Sequence, residues 1–270
     1  MLRARVAPGM IASVTTSEPG RVLIESGFGI AGSMTSAAAT VVYSPTDAAL
    51  QLDDRFGACL RELADDLAAA PLPRREAARA GAALAFAVEH GITLSRRDRT
   101  VRSDGFFTER AGGRVSAREL GEAVLLAARA ATDDRRVRHL GCLLAEVVVS
   151  PDVDVALAER ALLVARDLTW RQLALLAAVG RRDRSPLPLT PVPVDPRAWT
   201  TWGALEDLTG LQMAGLLDPP VAVPRPGGSA QPRLRPADLR LTRRGVLLHR
   251  LLALDFVRPE DVDTALAALT

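Results

Sequence analysis

The sequence predicts a mainly α-helical protein, an antiparallel helical bundle followed by a small α+β module. Apolar residues recur at intervals of three and four from residue 45 onwards, which is the spacing of one face of an α-helix. Hydrophobic residues make up 48% of the 270 residues but aromatic ones only 4%, so Leu, Val and Ala must fill the core. Leu and Ala favour helices, whereas Ile, Tyr and Phe, which favour strands, are scarce.

The chain divides by composition into four parts. Residues 1–44 are predicted to be a flexible or glycine-rich N-terminal segment, and residues 45–180 a helical domain. Residues 181–198 contain five prolines, which favour an extended and fairly stiff linker. Residues 199–270 then form the C-terminal module.

The N-terminal segment contains an uncharged stretch of small residues over 26–43. This stretch is short for a transmembrane helix, which needs about 20 apolar residues. A small-residue helix that is buried or lies at the surface is therefore expected, with membrane association through residues 21–43 as an alternative. The first twenty residues lack the apolar region of a secretory signal, which predicts a cytoplasmic protein.

Within this segment, Gly27–Gly32 matches the Gly-x-Gly-x-x-Gly pattern of dinucleotide-binding units, and Val22–Ile24 before it could form a strand. The glycines of such a unit allow a tight turn and the close approach of a pyrophosphate. Asp47 lies near the spacing of the ribose-binding acid, but it follows Ser44–Pro45, where a helix is expected to begin. The rest of the chain also lacks the alternating strands and helices of a parallel sheet. No cofactor is therefore predicted.

Helix start signals divide the helical domain into successive elements. Asp47 is well placed near the start of the first helix, and Ser116 with Glu119 has the spacing of a capping box. Four helices, the last capped by Thr169, are expected over 116–180. Because their connections are only a few residues long, sequential neighbours should pack antiparallel.

The C-terminal module combines two short motifs on either side of a Pro- and Gly-rich stretch. Residues 208–217 read Leu-Thr-Gly-Leu-Gln-Met-Ala-Gly-Leu-Leu, and residues 241–245 read Leu-Thr-Arg-Arg-Gly. Residues 219–238 between them could form a short hairpin, although their prolines limit the pairing to edge strands. This order resembles the end of winged-helix domains, where the first motif would lie in the recognition helix and the second would open the helix after the wing. The resemblance implies a winged-helix-like α+β module.

The whole layout also resembles a type of bacterial helical protein with a glycine-rich N-terminal stretch, a helical middle and a small winged-helix-like end. The segment 133–179, in which Leu168 and Thr169 precede a Leu-rich helix, carries this resemblance. It implies no activity, so it adds to the predicted fold and little to the function.

Arginine supplies all 34 basic residues, and the chain contains no Lys and no Asn. The codons of Lys and Asn are AT-rich, so a GC-rich genome explains this bias and weakens any argument from Arg to phosphate binding. The net charge is only +2, which is low for a non-specific nucleic-acid binder. Residues 181–250 nevertheless hold eleven Arg against six acidic residues.

A DNA-binding transcriptional regulator is the main alternative function. The helix that would read the duplex, 203–217, contains Glu206 and Asp207 but no Arg, which argues against base readout. Basic residues lie instead in and after the predicted wing, where they could contact the phosphate backbone. Under this alternative the DNA-contacting residues are Arg225, Arg233, Arg235, Arg240, Arg243 and Arg244.

The sequence predicts no catalytic and no metal-binding residue. Its three histidines lie far apart, and none has a second His or Cys at the spacing of metal ligands. His139 with Glu146, two helical turns away, is the only pairing of interest. Cys59 and Cys142 lie in apolar helical patterns and are expected to be buried, reduced thiols.

The function predicted from the sequence is that of a non-catalytic protein-binding or regulatory protein, acting through its helical surfaces and its C-terminal module. The apolar bundle, the modular tail and the lack of site chemistry lead to this prediction. A protein partner or self-association is expected, with DNA and then a membrane as alternatives, and no small-molecule substrate is inferred. A pocket that brought His139 or Gly27–Gly32 together with polar groups would change this interpretation.

Overall fold

The computed structural model describes residues 18–32, 34–44, 52–110, 113–192, 198–219 and 234–269. Across these residues the chain forms twelve α-helices and one short antiparallel pair of strands. The helices are α1 (Pro19–Ser26), α2 (Phe28–Ala31), α3 (Met34–Tyr43), α4 (Asp54–Ala69), α5 (Arg74–Ser95), α6 (Ser116–Arg129), α7 (Asp134–Val148), α8 (Val155–Asp167), α9 (Trp170–Gly180), α10 (Trp199–Met213), α11 (Arg243–Leu251) and α12 (Pro259–Ala267), and the strands are β1 (Glu109–Arg110) and β2 (Arg114–Val115).

The predicted mainly helical fold is confirmed, and several helix starts lie where the sequence places them. Thr169 caps α9 in a complete capping box, because its Oγ1 accepts from the Gln172 N–H at 3.2 Å and its own N–H donates to Gln172 Oε1 at 2.8 Å. Thr242 caps α11 by accepting from the Gly245 N–H at 3.0 Å. These local signals mark the starts of two helices.

Two other predicted starts are wrong. The first long helix does not continue from Asp47, because Leu52 and Asp53 are not helical and Asp53 caps a helix that begins at Asp54. Residues 45–51 lie outside the described residues. Ser116 is the first residue of α6 instead of its cap, a position that Val115 holds.

The centre of the molecule is a pair of helices, α5 and α7, that run in the same direction. Arg79 Nε lies 2.7 Å from Asp134 Oδ1 near the starts of the two helices, and His90 Nε2 lies 2.8 Å from Glu146 Oε1 towards their ends. Between these contacts, a Cβ at Gly141 would lie 2.3 Å from the carbonyl oxygen of Ala83. The absence of a side chain at Gly141 therefore lets the two backbones approach closely.

Helix α6 lies antiparallel to α5, and therefore also to α7, its sequential neighbour in the predicted four-helix run over 116–180. Arg129 at the end of α6 pairs with Glu76 near the start of α5, with Nη2 and Oε2 2.7 Å apart. Arg118 near the start of α6 forms an ion pair with Asp66 near the end of α4. The parallel packing of α5 and α7 arises because α6 connects them, returning the chain to the end where α5 began.

The N-terminal segment packs on α4 and α5 as three short helices instead of one. Val22–Ile24 lie within α1, so the strand considered before the glycine motif does not form. Gly27 and Gly81 mark a close crossing, since a Cβ at Gly81 would lie 2.0 Å from the carbonyl oxygen of Leu23. The uncharged stretch 26–43 is interrupted at Gly32, whose φ is +68°. No helix in the described parts of the chain is long and apolar enough to cross a membrane.

The C-terminal segment packs against the helices of the middle of the chain. Arg181 at the end of α9 donates to the carbonyl oxygens of Leu254 and Val257, the second at 2.7 Å. Asp207 of α10 accepts from the Arg171 guanidinium and lies 3.4 Å from Thr169 Oγ1. Helix α12 packs on α9. The C-terminal residues thus contribute to the same core as the bundle.

The prediction of a winged-helix-like α+β module is wrong. Such a module needs a sheet, but residues 198–219 and 234–269 form three helices, two 3₁₀ turns and a single bridge between Leu217 and Leu241. Most of the expected hairpin, residues 220–233, lies outside the described residues. The motif at 241–245 specifies helix capping and close packing instead of the helix after a wing. A Cβ at Gly245 would lie 2.1 Å from the carbonyl oxygen of Leu216.

Candidate binding sites

An apolar groove with a volume of about 660 Å³ lies between α8 and α11. Helix α8 turns one face towards it, with side chains at intervals of three and four from Leu157 to Val164. Leu216 and Leu248, both buried, form its floor, whereas Leu157 at the rim is 37% exposed. The apolar lining consists of Val153, Leu157, Ala161, Val164, Leu216, Leu247 and Leu248.

The rim of this groove is basic. Arg160, Arg243 and Arg244 line it and are exposed. Arg244 donates to the carbonyl oxygen of Ala214 at 3.1 Å, and within the described residues none of the three arginines forms an ion pair. Among the lining residues the only acid is Asp152, which already forms an ion pair with Arg250 at 3.0 Å. The groove therefore presents an apolar floor beneath an excess of positive charge.

The structure separates the six arginines predicted to contact DNA. Arg243 and Arg244 lie at the rim of the groove. Arg235 pairs with Asp238 at 2.7 Å, and Arg240 donates to the carbonyl oxygens of Ala237 and Leu239. Arg225 and Arg233 lie outside the described residues. DNA contact by this set stays a prediction.

A second cavity, with a volume of about 420 Å³, brings together residues that are far apart in the sequence. It is lined by Gly29–Gly32, by Arg138 and His139 of α7, by Trp170 at the start of α9 and by Phe256–Arg258. The cavity thus joins the glycine stretch and His139 to polar groups, the arrangement that the sequence left as an open question. We call it the glycine–histidine cavity.

One wall of the glycine–histidine cavity is a network of paired charges around Trp170. Arg135 binds both Asp133 and Asp261, with 2.8 Å between its Nη1 and Asp261 Oδ1. The same Asp261 oxygen lies 3.3 Å from the Trp170 indole nitrogen, which donates to it. The Arg135 guanidinium lies 4.8 Å from the centroid of the Trp170 ring. These contacts hold the indole, and the single Arg135 guanidinium is shared between the carboxylates of Asp133 and Asp261.

The remaining charged groups of the cavity are unpaired within the described residues. Arg138 lies between two phenyl rings, 5.7 Å from the centroids of both Phe86 and Phe256, and forms no ion pair there. Arg258 and Glu89 also line the cavity, and neither has an ion-pair partner in the described part of the chain. Two free cations therefore face one free carboxylate.

His139 provides a buried hydrogen-bonding group in the same cavity. Its side chain is 2% exposed, and Nδ1 donates to the carbonyl oxygen of Leu252 at 2.7 Å. Burial lowers the pKa of His139 to about 4, with nearby Arg138 contributing. The ring is therefore neutral at pH 7, and because Nδ1 carries the proton, Nε2 is an acceptor.

A second buried histidine lies behind the cavity. His90 and Glu146 contact each other with both side chains less than a tenth exposed, and the His90 ring packs on the edge of Phe256 at 5.7 Å. Glu146 Oε2 is buried without a hydrogen-bond partner among the described residues. His139 and Glu146, whose pairing as a catalytic unit the sequence made improbable, do not contact each other: Glu146 pairs across to α5, and His139 binds the backbone of the C-terminal segment.

No family model, curated protein or solved structure matches the chain. The interpretation of both sites therefore depends on their geometry.

The described residues offer these sites neither a cluster of metal ligands nor an exposed thiol. No group of three or more His, Cys, Asp or Glu in the described ranges is arranged to hold a metal ion. Cys59 and Cys142 are buried, as predicted, and burial raises the pKa of each thiol to about 12. A thiol of this kind is a poor nucleophile at neutral pH, because the reactive thiolate is scarce.

Sequence reasoning missed Arg138, Trp170 and Phe256 as site residues. Each looks like an ordinary helix or turn residue, and they are separated by many residues along the chain. One clue was present: Arg135, Arg138 and His139 lie three and four positions apart, on one face of α7. The partners of that face could not be found without knowing that α5 and α7 are parallel.

Proposed function

We propose that this chain is a non-catalytic binding protein that holds an acidic, amphipathic helix of a partner protein in the groove between α8 and α11. The observation that carries the proposal is the combination of an apolar floor with a rim of Arg160, Arg243 and Arg244, which have no ion-pair partner in the part of the chain that the structure describes. A helix lying in such a groove buries its apolar face, while its acidic flanks meet the arginines.

Charge favours an external partner over another part of this chain. Two segments that lie outside the described residues, 1–17 and 220–233, each contain two Arg and no acidic residue. A second copy of the chain, docked by the same surface, would bring the arginine rim against itself. An acidic partner meets neither difficulty, since opposite charges speed association and suppress wrong partners.

The groove is also better suited to a protein than to duplex DNA. Leu157 and Val246 are 37% and 56% exposed near the rim arginines, and a phosphate backbone offers apolar side chains nothing to pack on. A protein helix uses both parts of the surface. DNA binding through Arg243 and Arg244 is therefore the alternative that the test below distinguishes from binding of a protein helix.

The test is fluorescence anisotropy on the full chain with a labelled helical peptide that carries Leu on one face and Glu on the other. We expect binding that weakens at least tenfold in the double variant Arg243→Glu and Arg244→Glu, because two favourable contacts become repulsive. Arg235→Glu, in the same segment but away from the groove, is the matched control and should leave binding unchanged.

Three results would contradict the proposal. The acidic peptide does not bind; it binds the double variant as tightly as the unaltered chain; or a version with Lys in place of Glu binds equally well. A labelled DNA duplex that binds more tightly than the peptide, with an affinity that falls steeply with salt and is lost in the double variant, would replace the partner protein by DNA.

A further inference from the structure

We propose that the glycine–histidine cavity binds a small planar organic acid that also carries a hydrogen-bond donor, such as an aromatic carboxylate with a hydroxyl group. This site is separate from the groove between α8 and α11 and independent of its function. The space, the charge and the acceptor that the cavity offers together favour such a ligand.

The cavity has the size and walls of a small-molecule site. Its volume of about 420 Å³ lies within the range of roughly 300–1,000 Å³ that is common for such sites. Phe86, Phe256 and Trp170 supply flat apolar surfaces. The glycine stretch leaves room, since a Cβ built on Gly29 or Gly32 would meet no other heavy atom within 4 Å. A planar body can therefore enter beside these glycines.

Within the described residues the cavity offers a ligand two cations without an ion-pair partner, Arg138 and Arg258, beside one such carboxylate, Glu89. Asp134 is already paired with Arg79, and Asp261 with Arg135. The unpaired Arg138 is held between two rings, which restrict its guanidinium, and a planar guanidinium suits a carboxylate through two parallel hydrogen bonds. Arg258 adds a second cation at the exposed side of the cavity.

The acceptor of the cavity is His139 Nε2. Its orientation is fixed by the hydrogen bond from Nδ1 to Leu252, so Nε2 can only accept at neutral pH. A ligand without a donor would forgo the hydrogen bond that a hydroxyl can give to Nε2, which costs binding free energy. The cavity should therefore distinguish a hydroxyl-bearing acid from the same acid without the hydroxyl.

The experiment is isothermal titration calorimetry on the full chain at low ionic strength with four probes: 4-hydroxybenzoate, benzoate, benzamidine and inorganic phosphate. We expect 4-hydroxybenzoate to bind, benzoate to bind roughly tenfold more weakly, and the other two to bind no better than background. No binding of either aromatic acid overturns the proposal. Equal binding of benzamidine overturns the charge argument, and phosphate binding as tight as that of the aromatic acids overturns the requirement for a planar body.

Variants locate the binding to this cavity. Arg138→Gln removes the charge, and Gly29→Leu adds a bulky side chain at a position where a Cβ meets no heavy atom within 4 Å, so each should weaken binding of 4-hydroxybenzoate at least tenfold. Arg160→Gln, which removes an arginine from the groove, is the control and should change nothing. If Arg138→Gln fails to fold, as judged by circular dichroism, Gly29→Leu and Arg258→Gln decide the question. Unchanged binding in these variants overturns the assignment of the site.

Discussion

Arg102 shows how a buried cation can be accommodated in this chain. The side chain is 6% exposed. Its Nη1 donates to the carbonyl oxygen of Val147 in the last turn of α7 and to those of Ser150 and Val153 just after the helix. The last carbonyls of a helix lack partners in the helix and carry partial negative charge. Arg136 caps the end of α8 in the same way. The abundant arginines therefore have structural uses, whatever the origin of the bias in composition.

The lowered pKa of His139 predicts that the free energy of unfolding decreases in mildly acidic solution. Its pKa of about 4 lies below the usual value of about 6.5, so the folded state resists protonation more than the unfolded chain does. The stabilising contribution is therefore complete above about pH 6.5 and decreases as the pH falls towards 4. For His139 alone we expect a loss of about 2 kcal/mol in the free energy of unfolding between pH 7 and pH 5.

Urea unfolding at the two pH values measures this loss, and His139→Asn separates it from other groups. Asn keeps an N–H for the Leu252 carbonyl but does not titrate, so most of the loss should disappear in the variant. His249 contributes in the same direction, because burial also lowers its pKa. An unchanged pH dependence in His139→Asn would show that the loss comes from elsewhere.

At the scale of helices, glycine has two opposite uses in this molecule. Gly81 and Gly141 allow backbones to touch, since an added Cβ would lie 2.0 Å and 2.3 Å from a carbonyl oxygen of a neighbouring helix. Gly29 and Gly32 instead border open space. The motif Gly27–Gly32 thus contains both kinds, a packing glycine at its start and cavity-lining ones after it. Neither use involves a strand.

Gly81→Ala is expected to destabilise the fold by about 2 kcal/mol, because the new methyl group overlaps the backbone of α1 and the two helices must move apart. Thermal unfolding followed by circular dichroism gives the change. Gly29→Ala is the matched control: its methyl group meets nothing, and Ala is the better helix residue, so stability should be unchanged or slightly higher. Equal effects of the two changes would contradict the close crossing of α1 and α5.

At the scale of the whole molecule, the C-terminal segment completes the core of the chain. His139 donates to Leu252, Arg181 donates to Leu254 and Val257, and α12 covers α9. Removing this segment would leave those polar groups without partners and expose apolar side chains of α9. The two sites also depend on it, because α11 forms one side of the groove and Phe256 one side of the cavity.

We therefore expect a chain ending at residue 198 to lose cooperative unfolding or to aggregate. Size-exclusion chromatography and thermal unfolding measure both properties. The double change Trp199→Ser and Met213→Ser is the control, since these side chains are 84% and 85% exposed and their loss should leave the core intact. A truncated chain that unfolds as cooperatively as the full one would instead support the predicted domain boundary at 181–198.

The sequence predicts what is local in this fold and misses what depends on distant contacts. Thr169 and Thr242 cap their helices because a cap needs only residues two or three positions away. Val246 is 56% exposed although it lies on the same short helix as the buried Leu248 and Leu251, since the side of α11 that is covered depends on which helix packs against it.

The candidate sites were missed for the same reason. The contact between His90 and Glu146 joins α5 to α7. These two helices are parallel because α6 returns the chain between them, and the hydrophobic periodicity of a sequence does not reveal such a connection. The glycine–histidine cavity further requires α2 to lie beside α7. Only the basic character of residues 181–250, which include Arg243 and Arg244 of the groove, was visible from composition.

The burial of the two cysteines gives the chain a built-in reporter of its own local opening. Cys59 lies on α4 and Cys142 on the central helix α7, and with 7% and 3% of their surfaces exposed, neither can be alkylated until its surroundings separate. The modification rate under native conditions therefore measures how often each helix is released. Because no other cysteine competes, mass spectrometry can follow the two rates side by side in the unaltered sequence and show whether the periphery loosens before the centre.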